Sequence, residues 1–375
     1  MTFCKATLII CLAHMLLVTT SPAVTAQEPL RKATKKLIEF GWDEPDTAFM
    51  RRHIAEMEKS PFDGCVFHVN YASPTGQQGS FTWGCWGERA FNEAELKQAI
   101  EDLKATPFNR FTHNFLRFNT TPAKLDWFDD HAAVLNNARL AARIAREGRC
   151  AGVLFDIEQY EGQLFNYRKQ RDAKAKSWDT YAVQVRLRGR QVMEAFQEGY
   201  PGLTVFLTFG HSLPFVQAGG KKEKLPDASY GLLAPFLDGM IEAARDRAKL
   251  VDGHELSYGY KEPGRFEAAY RMMSQDVLPI VSDVGKYRRV YSFGFGIWMD
   301  HDQRKLGWNS EDPSKNYFTP ELLEGAVRKA MQTSDEYVWV YTEIPRWWSD
   351  GGGRVKLPQG YADALARARR GTSND

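Results

Sequence analysis

From residue 37 to residue 370 the chain alternates short apolar runs with longer amphipathic stretches of helical period, and it completes that cycle eight times. The apolar runs cover 37–43, 64–71, 110–119, 151–158, 203–209, 250–258, 290–300 and 337–343. Helical stretches follow them near 46–59, 92–104, 129–147, 177–198, 231–248, 263–276, 319–332 and 359–370. A run such as Gly152-Val153-Leu154-Phe155 has no polar face, as expected of a strand covered on both sides. Strands that alternate with helices build a parallel sheet. Eight such units predict an α/β fold, a single-domain (β/α)8 TIM barrel with loop insertions. Two helix starts are written locally. Asn92 with Glu95 forms a capping box, and Thr319-Pro320 places proline in the first helical position. The turn after the first run reads Gly41-Trp42-Asp43-Glu44-Pro45, with no glycine-rich phosphate loop. That excludes a dinucleotide-binding fold and a P-loop.

The segment before the barrel reads differently. Lys5 precedes an apolar stretch at 6–18, and small residues follow at 21–26. This is the pattern of a secretory leader cleaved before Gln27, and it implies a secreted or periplasmic protein. The apolar stretch is shorter than the roughly 20 residues that span a bilayer. The expected organisation is therefore a leader at 1–26, a linker at 27–36, the barrel at 37–371 and a tail at 372–375. No second long apolar run occurs, so no membrane partner is expected after cleavage. With 49 Lys and Arg against 47 Asp and Glu, the near-neutral chain has no electrostatic reason to bind nucleic acid. Beyond the leader stand Cys65, Cys85 and Cys150, without metal-ligand spacing; Cys65 and Cys85 are the nearer pair for one disulfide.

In barrels of this kind the site is built where the strands end. Trp42 and Asp43 end the first run, and His68 and Asn70 share one face of the second. The third holds His113, Asn114 and Arg117. The fourth ends in Asp156-Ile157-Glu158, followed by Tyr160. His211 follows the fifth, and the sixth holds Asp252, His254, Glu255 and Tyr258. Trp298 and Asp300 end the seventh; Glu343 ends the eighth, followed by Trp347 and Trp348. Carboxylates, amides and imidazoles bond hydroxyl groups, and rings stack on the apolar faces of sugars. The joint pattern points to a carbohydrate substrate.

The sharpest local motif is Gly152-Val153-Leu154-Phe155-Asp156-Ile157-Glu158. Two close carboxyls push one pKa up, so that one stays protonated near neutrality. The motif resembles the fourth strand of chitinase-like glycosidases, D-G-x-D-x-D-x-E. Gly152, Asp156 and Glu158 match it, while Ala151 and Leu154 stand where that family has its first two aspartates. The resemblance implies a glycoside-hydrolase-like barrel with Glu158 as the general acid and Asp156 as its helper. Glycosidases usually need a second carboxylate. Glu343 and Glu255 are equal candidates for it, and Asp300 is third.

No cofactor is implied. His68, His113, His211 and His254 lie on different strands without metal-site spacing, so no metal ligand is assigned. The expected activity is a secreted O-glycosyl hydrolase. A non-catalytic carbohydrate-binding barrel and a metal-assisted hydrolase remain as alternatives. The 10 tryptophans sharpen the expectation: Trp42, Trp298, Trp347 and Trp348 fall at strand ends, and Trp83 and Trp86 in the loop after the second run.

Overall fold

The computed structural model describes residues 34–245, 247–348 and 355–371. The expected leader, most of the linker and the tail lie outside the described residues. Nine parallel segments form one sheet: β1 (Lys36–Gly41), β2 (Gly64–Phe67), β3 (Phe115–Asn119), β4 (Gly152–Asp156), β5 (Thr204–Leu207), β6 (Lys249–Asp252), β7 (Tyr291–Phe293), β8 (Phe295–Trp298) and β9 (Tyr337–Thr342). Their order around the sheet is β8-β9-β1-β2-β3-β4-β5-β6-β7. Only Gly294 separates β7 from β8. The chain pairs with β6 before that glycine and with β9 after it. The two segments are one interrupted stave, and the eight staves close into the expected (β/α)8 barrel.

The closure rests on the pairing of β1 with β9, which runs unbroken from Lys36↔Tyr337 to Gly41↔Thr342. Alternate residues then face inward. Ile38, Phe40, Val66, Phe115, Leu154, Phe206, Val251, Tyr337 and Trp339 form the core inside the barrel. The intervening residues, among them Leu37, Phe67, Leu116, Val153, Phe155 and Val340, pack outward under the helices. Trp339 fills the barrel below its mouth. Its ring meets Phe40, Phe206 and Tyr258, and its indole N–H donates to the Gly253 carbonyl at 2.8 Å. A Cβ on Gly296 would stand 2.7 Å from that ring, so the adjoining stave needs glycine there.

The longer helices outside the barrel are α1 (Thr47–Met57), α2 (Glu93–Ala105), α3 (Ala132–Glu147), α4 (Trp178–Gly199), α5 (Leu233–Ala243), α6 (Pro263–Arg271), α7 (Pro320–Thr333) and α8 (Gln359–Arg370). The Asn92–Glu95 capping box forms in both directions, and the Thr319 side chain caps α7 ahead of Pro320. Several expected strands are shorter than their apolar runs. The third begins at Phe115 rather than residue 110, and the sixth ends at Asp252 rather than 258, because the backbone turns as soon as its parallel partner stops. Cys65, Cys85 and Cys150 are buried free thiols, so the disulfide that the spacing of Cys65 and Cys85 allowed is not formed.

Gly152 of β4 leaves no room for a side chain: an added Cβ would lie 1.9 Å from the Thr204 carbonyl oxygen of β5. Gly152→Ala must push β4 away from β5. It should lower unfolding stability by about 2 kcal/mol or more, read as a reduced urea midpoint, because overpacking against backbone cannot be relieved by a rotamer change.

Candidate active site

The C-terminal ends of the staves open into a cavity of about 700 Å³. Its floor and walls carry Glu44, Arg117, Glu158, Glu255 and Glu343, with His68, Asn70 and Ser80 to one side. Trp42, Trp83, Tyr160, Tyr258, Trp298 and Tyr341 supply rings. Trp42 is 60% exposed, Trp83 45% and Tyr160 47%, so three of the largest exposed apolar side chains gather at this one opening.

Arg117 organises the floor. It points upward from β3 and is 8% exposed. Its Nη1 donates to Glu44 Oε2 at 2.8 Å, and its Nε donates to Asp156 Oδ2 at 3.0 Å. Its Nη2 also donates to the Tyr160 hydroxyl at 3.0 Å. Tyr160 in turn donates to Glu158 Oε2. The guanidinium lies 4.9 Å from the Trp83 ring and 5.1 Å from Phe40. One cation thus compensates two carboxylates and reaches a third through a phenol.

Glu158 follows β4, and its backbone N–H donates to Asp156 Oδ1 at 3.1 Å. Burial pushes the Glu158 carboxyl up to about 7, and the Asp156 charge adds to this; Tyr160 and Arg117 pull the other way. Glu255 follows β6. Burial raises its carboxyl well above the ordinary range, the Glu158 and Asp156 charges raise it further, and the Tyr258 hydroxyl opposes them. Its Oε2 has no hydrogen-bond partner. Glu158 and Glu255 therefore titrate as a pair, which holds one proton near neutrality.

The two carboxyls come from staves separated by β5, and Thr208 at its end ties them together. The Thr208 hydroxyl accepts from Ile157 N at 3.4 Å, and its carbonyl accepts from Glu255 N at 3.1 Å. Glu343 is held differently. Gln303 Nε2 donates to it at 2.7 Å, Arg304 Nη2 at 3.1 Å and the Tyr341 hydroxyl at 3.3 Å. Trp42 Nε1 donates to that same hydroxyl at 2.8 Å, so a platform ring is tied to the anion.

Of the residues expected at the mouth, Trp42, His68, Asn70, Arg117, Glu158, Tyr160, Glu255, Tyr258, Trp298 and Glu343 line the cavity. The others lie elsewhere, and each has a physical reason. His113 and Asn114 precede β3 and sit at the opposite end of the barrel. His113 Nδ1 meets the Tyr337 hydroxyl at 3.0 Å, and Asn114 Oδ1 accepts from Cys65 N at 3.1 Å. His211 is fully buried, 3.4 Å from Asp238. Asp252 is fully buried and bonded to Ser212 at 3.1 Å. Asp43 accepts from Trp347 N at 2.6 Å, outside the cavity wall. Asp300 accepts from the backbone N–H groups of Glu343 at 3.0 Å and Ile344 at 2.8 Å, so it shapes the loop rather than meeting a ligand. Asp156 lies beneath the floor as the anchor of Arg117. Trp347 packs edge-on against Phe62. Trp86 is fully buried and Trp348 nearly so.

Ser80, Arg304 and Tyr341 line the cavity without having been assigned there, and Glu44, at the end of the first run, joins them. Tyr341 was legible, since it lies two residues before Glu343 on one strand and so shares its face. Arg304 lies on a one-turn helix, Gln303–Leu306, after Trp298 and had no periodic signal. Among the described residues no three of His, Cys, Asp and Glu gather as a metal site would require, and no helix is long and apolar enough to cross a membrane.

No family model and no curated protein matches the chain. Solved structures with a similar course of chain include a hyperthermophilic endocellulase from the archaeon Pyrococcus horikoshii, 11% identical with a TM-score of 0.44 over 90% of this chain and 93% of that one. A GH5-4 broad-specificity endoglucanase from an uncultured bacterium is 14% identical, with a TM-score of 0.42 over 88% and 86% of the two chains. Xylanase B from Clostridium stercorarium F9 is 11% identical, with a TM-score of 0.44 over 89% and 96%.

Removing Arg117 would leave Asp156 and Glu44 as uncompensated buried charges. Arg117→Met should destabilise the protein by about 3–5 kcal/mol in urea denaturation, far more than the loss of an exposed ion pair.

Proposed function

We propose that this protein is a glycoside hydrolase acting on a neutral poly- or oligosaccharide. The observation that carries the reading is the Glu158–Glu255 pair: two carboxyls in one cavity, each raised by burial and the later one raised further by the earlier. Glycoside cleavage needs one carboxyl to protonate the leaving oxygen and a second to act at the sugar carbon, as nucleophile or through an activated water.

Glu158 serves as the acid. An acid works best when its pKa lies near the working pH, and Glu158 is pushed up to about 7. Tyr160, itself bonded by Arg117, donates to the carboxylate that remains once the proton has left. Glu255 serves as the second carboxylate. With no donor on Oε2, its anion is poorly solvated, and it acts in the form of the pair in which Glu158 carries the shared proton. Glu343, already held by Arg304 and Gln303, is left to bind sugar hydroxyls.

The charge balance supports a neutral substrate. Glu44, Glu158, Glu255 and Glu343 face the cavity, while Arg117 and Arg304 are both engaged by carboxylates. A substrate carboxylate or sulfate would meet an uncompensated negative field. The rings of Trp42, Trp83 and Trp298 offer stacking surfaces for sugar faces. The amino-terminal leader pattern supports action outside the cytoplasm.

The test is turnover on glucans, mannans and xylans, with uronate polymers as the charged comparison. Glu158→Gln and Glu255→Gln should each lower kcat on the neutral substrate by about 10²-fold or more while substrate still binds. On an aryl glycoside whose leaving group needs no proton, Glu158→Gln should recover much of its rate and Glu255→Gln should not. Recovery by Glu255→Gln alone would exchange the two roles, and full turnover by both would overturn the reading. The pH profile follows from the sign of the shift. The acid form of Glu158 is present below about 7 and is lost above it, so kcat/KM should fall on the alkaline side. Glu158→Gln should abolish that limb.

A further inference from the structure

Behind Glu255 lies a second polar cluster that the proposed chemistry does not use. Asp252, Ser212 and His254 are all fully buried. Ser212 Oγ donates to Asp252 Oδ2 at 3.1 Å and meets His254 Nδ1 at 3.2 Å, while the His254 backbone N–H donates to Asp252 Oδ1 at 2.9 Å. The composition is that of a nucleophilic triad, but the arrangement is not. The carboxylate bonds the serine rather than the imidazole, and no member reaches solvent. In a nucleophilic triad the acid orients the imidazole and the imidazole takes the serine proton.

The backbone shows what the cluster does. His254 adopts φ 44° and ψ 59°, the left-handed region that few side chains tolerate. The pairing of β6 with β5 changes at this point. Gly253 N donates to the Leu207 carbonyl and Glu255 N to the Thr208 carbonyl, so one strand advances two residues while its partner advances one. His254 is the extra residue of a turn past the end of β6, and it leads into the one-turn 3-10 helix Glu255–Ser257. This turn carries Glu255 out of β6 with its N–H held by the Thr208 carbonyl. Its backbone has one further tie, from Ser257 Oγ to the His254 carbonyl at 2.7 Å. The ring is edge-on to Tyr260 and Phe295, and burial holds it neutral, down to about 3. A neutral imidazole with the proton on Nδ1 donates to Ser212, which donates to Asp252, so the donor chain runs one way into the carboxylate.

We infer that Asp252, Ser212 and His254 form a buried clamp that holds the turn before Glu255, with His254 as a positioning residue for that carboxyl. The inference rests on the proposed role of Glu255. A residue acting only through position should change kcat with little change in KM. It should also be replaceable by a side chain that accepts the same backbone.

The experiment measures kcat and KM on the best neutral glycan, alongside thermal melting, for Ser212→Ala, His254→Ala, His254→Asn and Glu255→Gln. Ser212→Ala and His254→Ala should lower kcat about tenfold or more with KM within about twofold. His254→Asn, whose side chain tolerates the left-handed region and can still bond Ser212, should stay within about threefold of the wild type. Ser212→Ala removes a single oxygen, so it carries the test even if His254→Ala does not fold. Wild-type kcat in Ser212→Ala beside an inactive Glu255→Gln would overturn the clamp and leave the hydrolase reading standing. Full turnover by Glu255→Gln would overturn that reading, and the clamp's purpose with it.

Discussion

Two carboxyl groups share a poorly hydrated cavity floor, and much of the surrounding structure makes that arrangement tolerable. Withdrawing a carboxylate from water costs several kcal/mol even in a relaxed protein interior. The protein limits this cost in two ways. One proton is kept within the Glu158–Glu255 pair near neutrality, as the raised carboxyls of both residues indicate. Arg117 offsets the neighbouring charges of Asp156 and Glu44 and reaches Glu158 through Tyr160. The residual imbalance is the chemically useful part, because a carboxyl whose proton is weakly held at neutral pH is a competent acid.

That floor depends on the closed barrel. Parallel pairing places all strand ends on one rim, and the unbroken β1–β9 ladder brings the first and last staves together. Trp339 plugs the interior just beneath, so the cavity has a solid base rather than a channel. β5 carries neither carboxyl, yet Thr208 at its end binds the backbone beside each of them. The spacing of the pair is thus set across three staves by main-chain pairing together with the Thr208 hydroxyl.

The readable part of the sequence was the part governed by local rules. Apolar runs of strand length, amphipathic stretches and the caps at Asn92 and Thr319 all depend on neighbours within a few residues, and they reappear in the structure. Asp156-Ile157-Glu158 was legible as a motif because alternation on a strand is local. The aspartate nonetheless turned out to anchor Arg117 beneath the floor, while only the glutamate entered the cavity. Other assignments failed where a strand's direction or length mattered. His113 and Asn114 lie on the apolar run that was read as a strand, but that run begins its ladder at Phe115, which leaves both at the closed end. Trp86 carried no mark that distinguishes a core indole from a platform such as Trp83, since both occupy one irregular loop.

The sequence by itself determined the class of fold, the strand on which Glu158 stands and the near-neutral charge, because periodicity and composition are properties of the chain alone. The surroundings that distinguish Glu255, Glu343 and Asp300 come from tertiary structure. Asp300 is consumed by backbone N–H groups, Glu343 is claimed by Arg304 and Gln303, and Glu255 is left facing Glu158 with an unpartnered oxygen. Nothing in the spacing of those three residues distinguishes them. A carboxyl's character is fixed by the charges, donors and water within a few ångströms, and here those neighbours come from staves far apart in sequence.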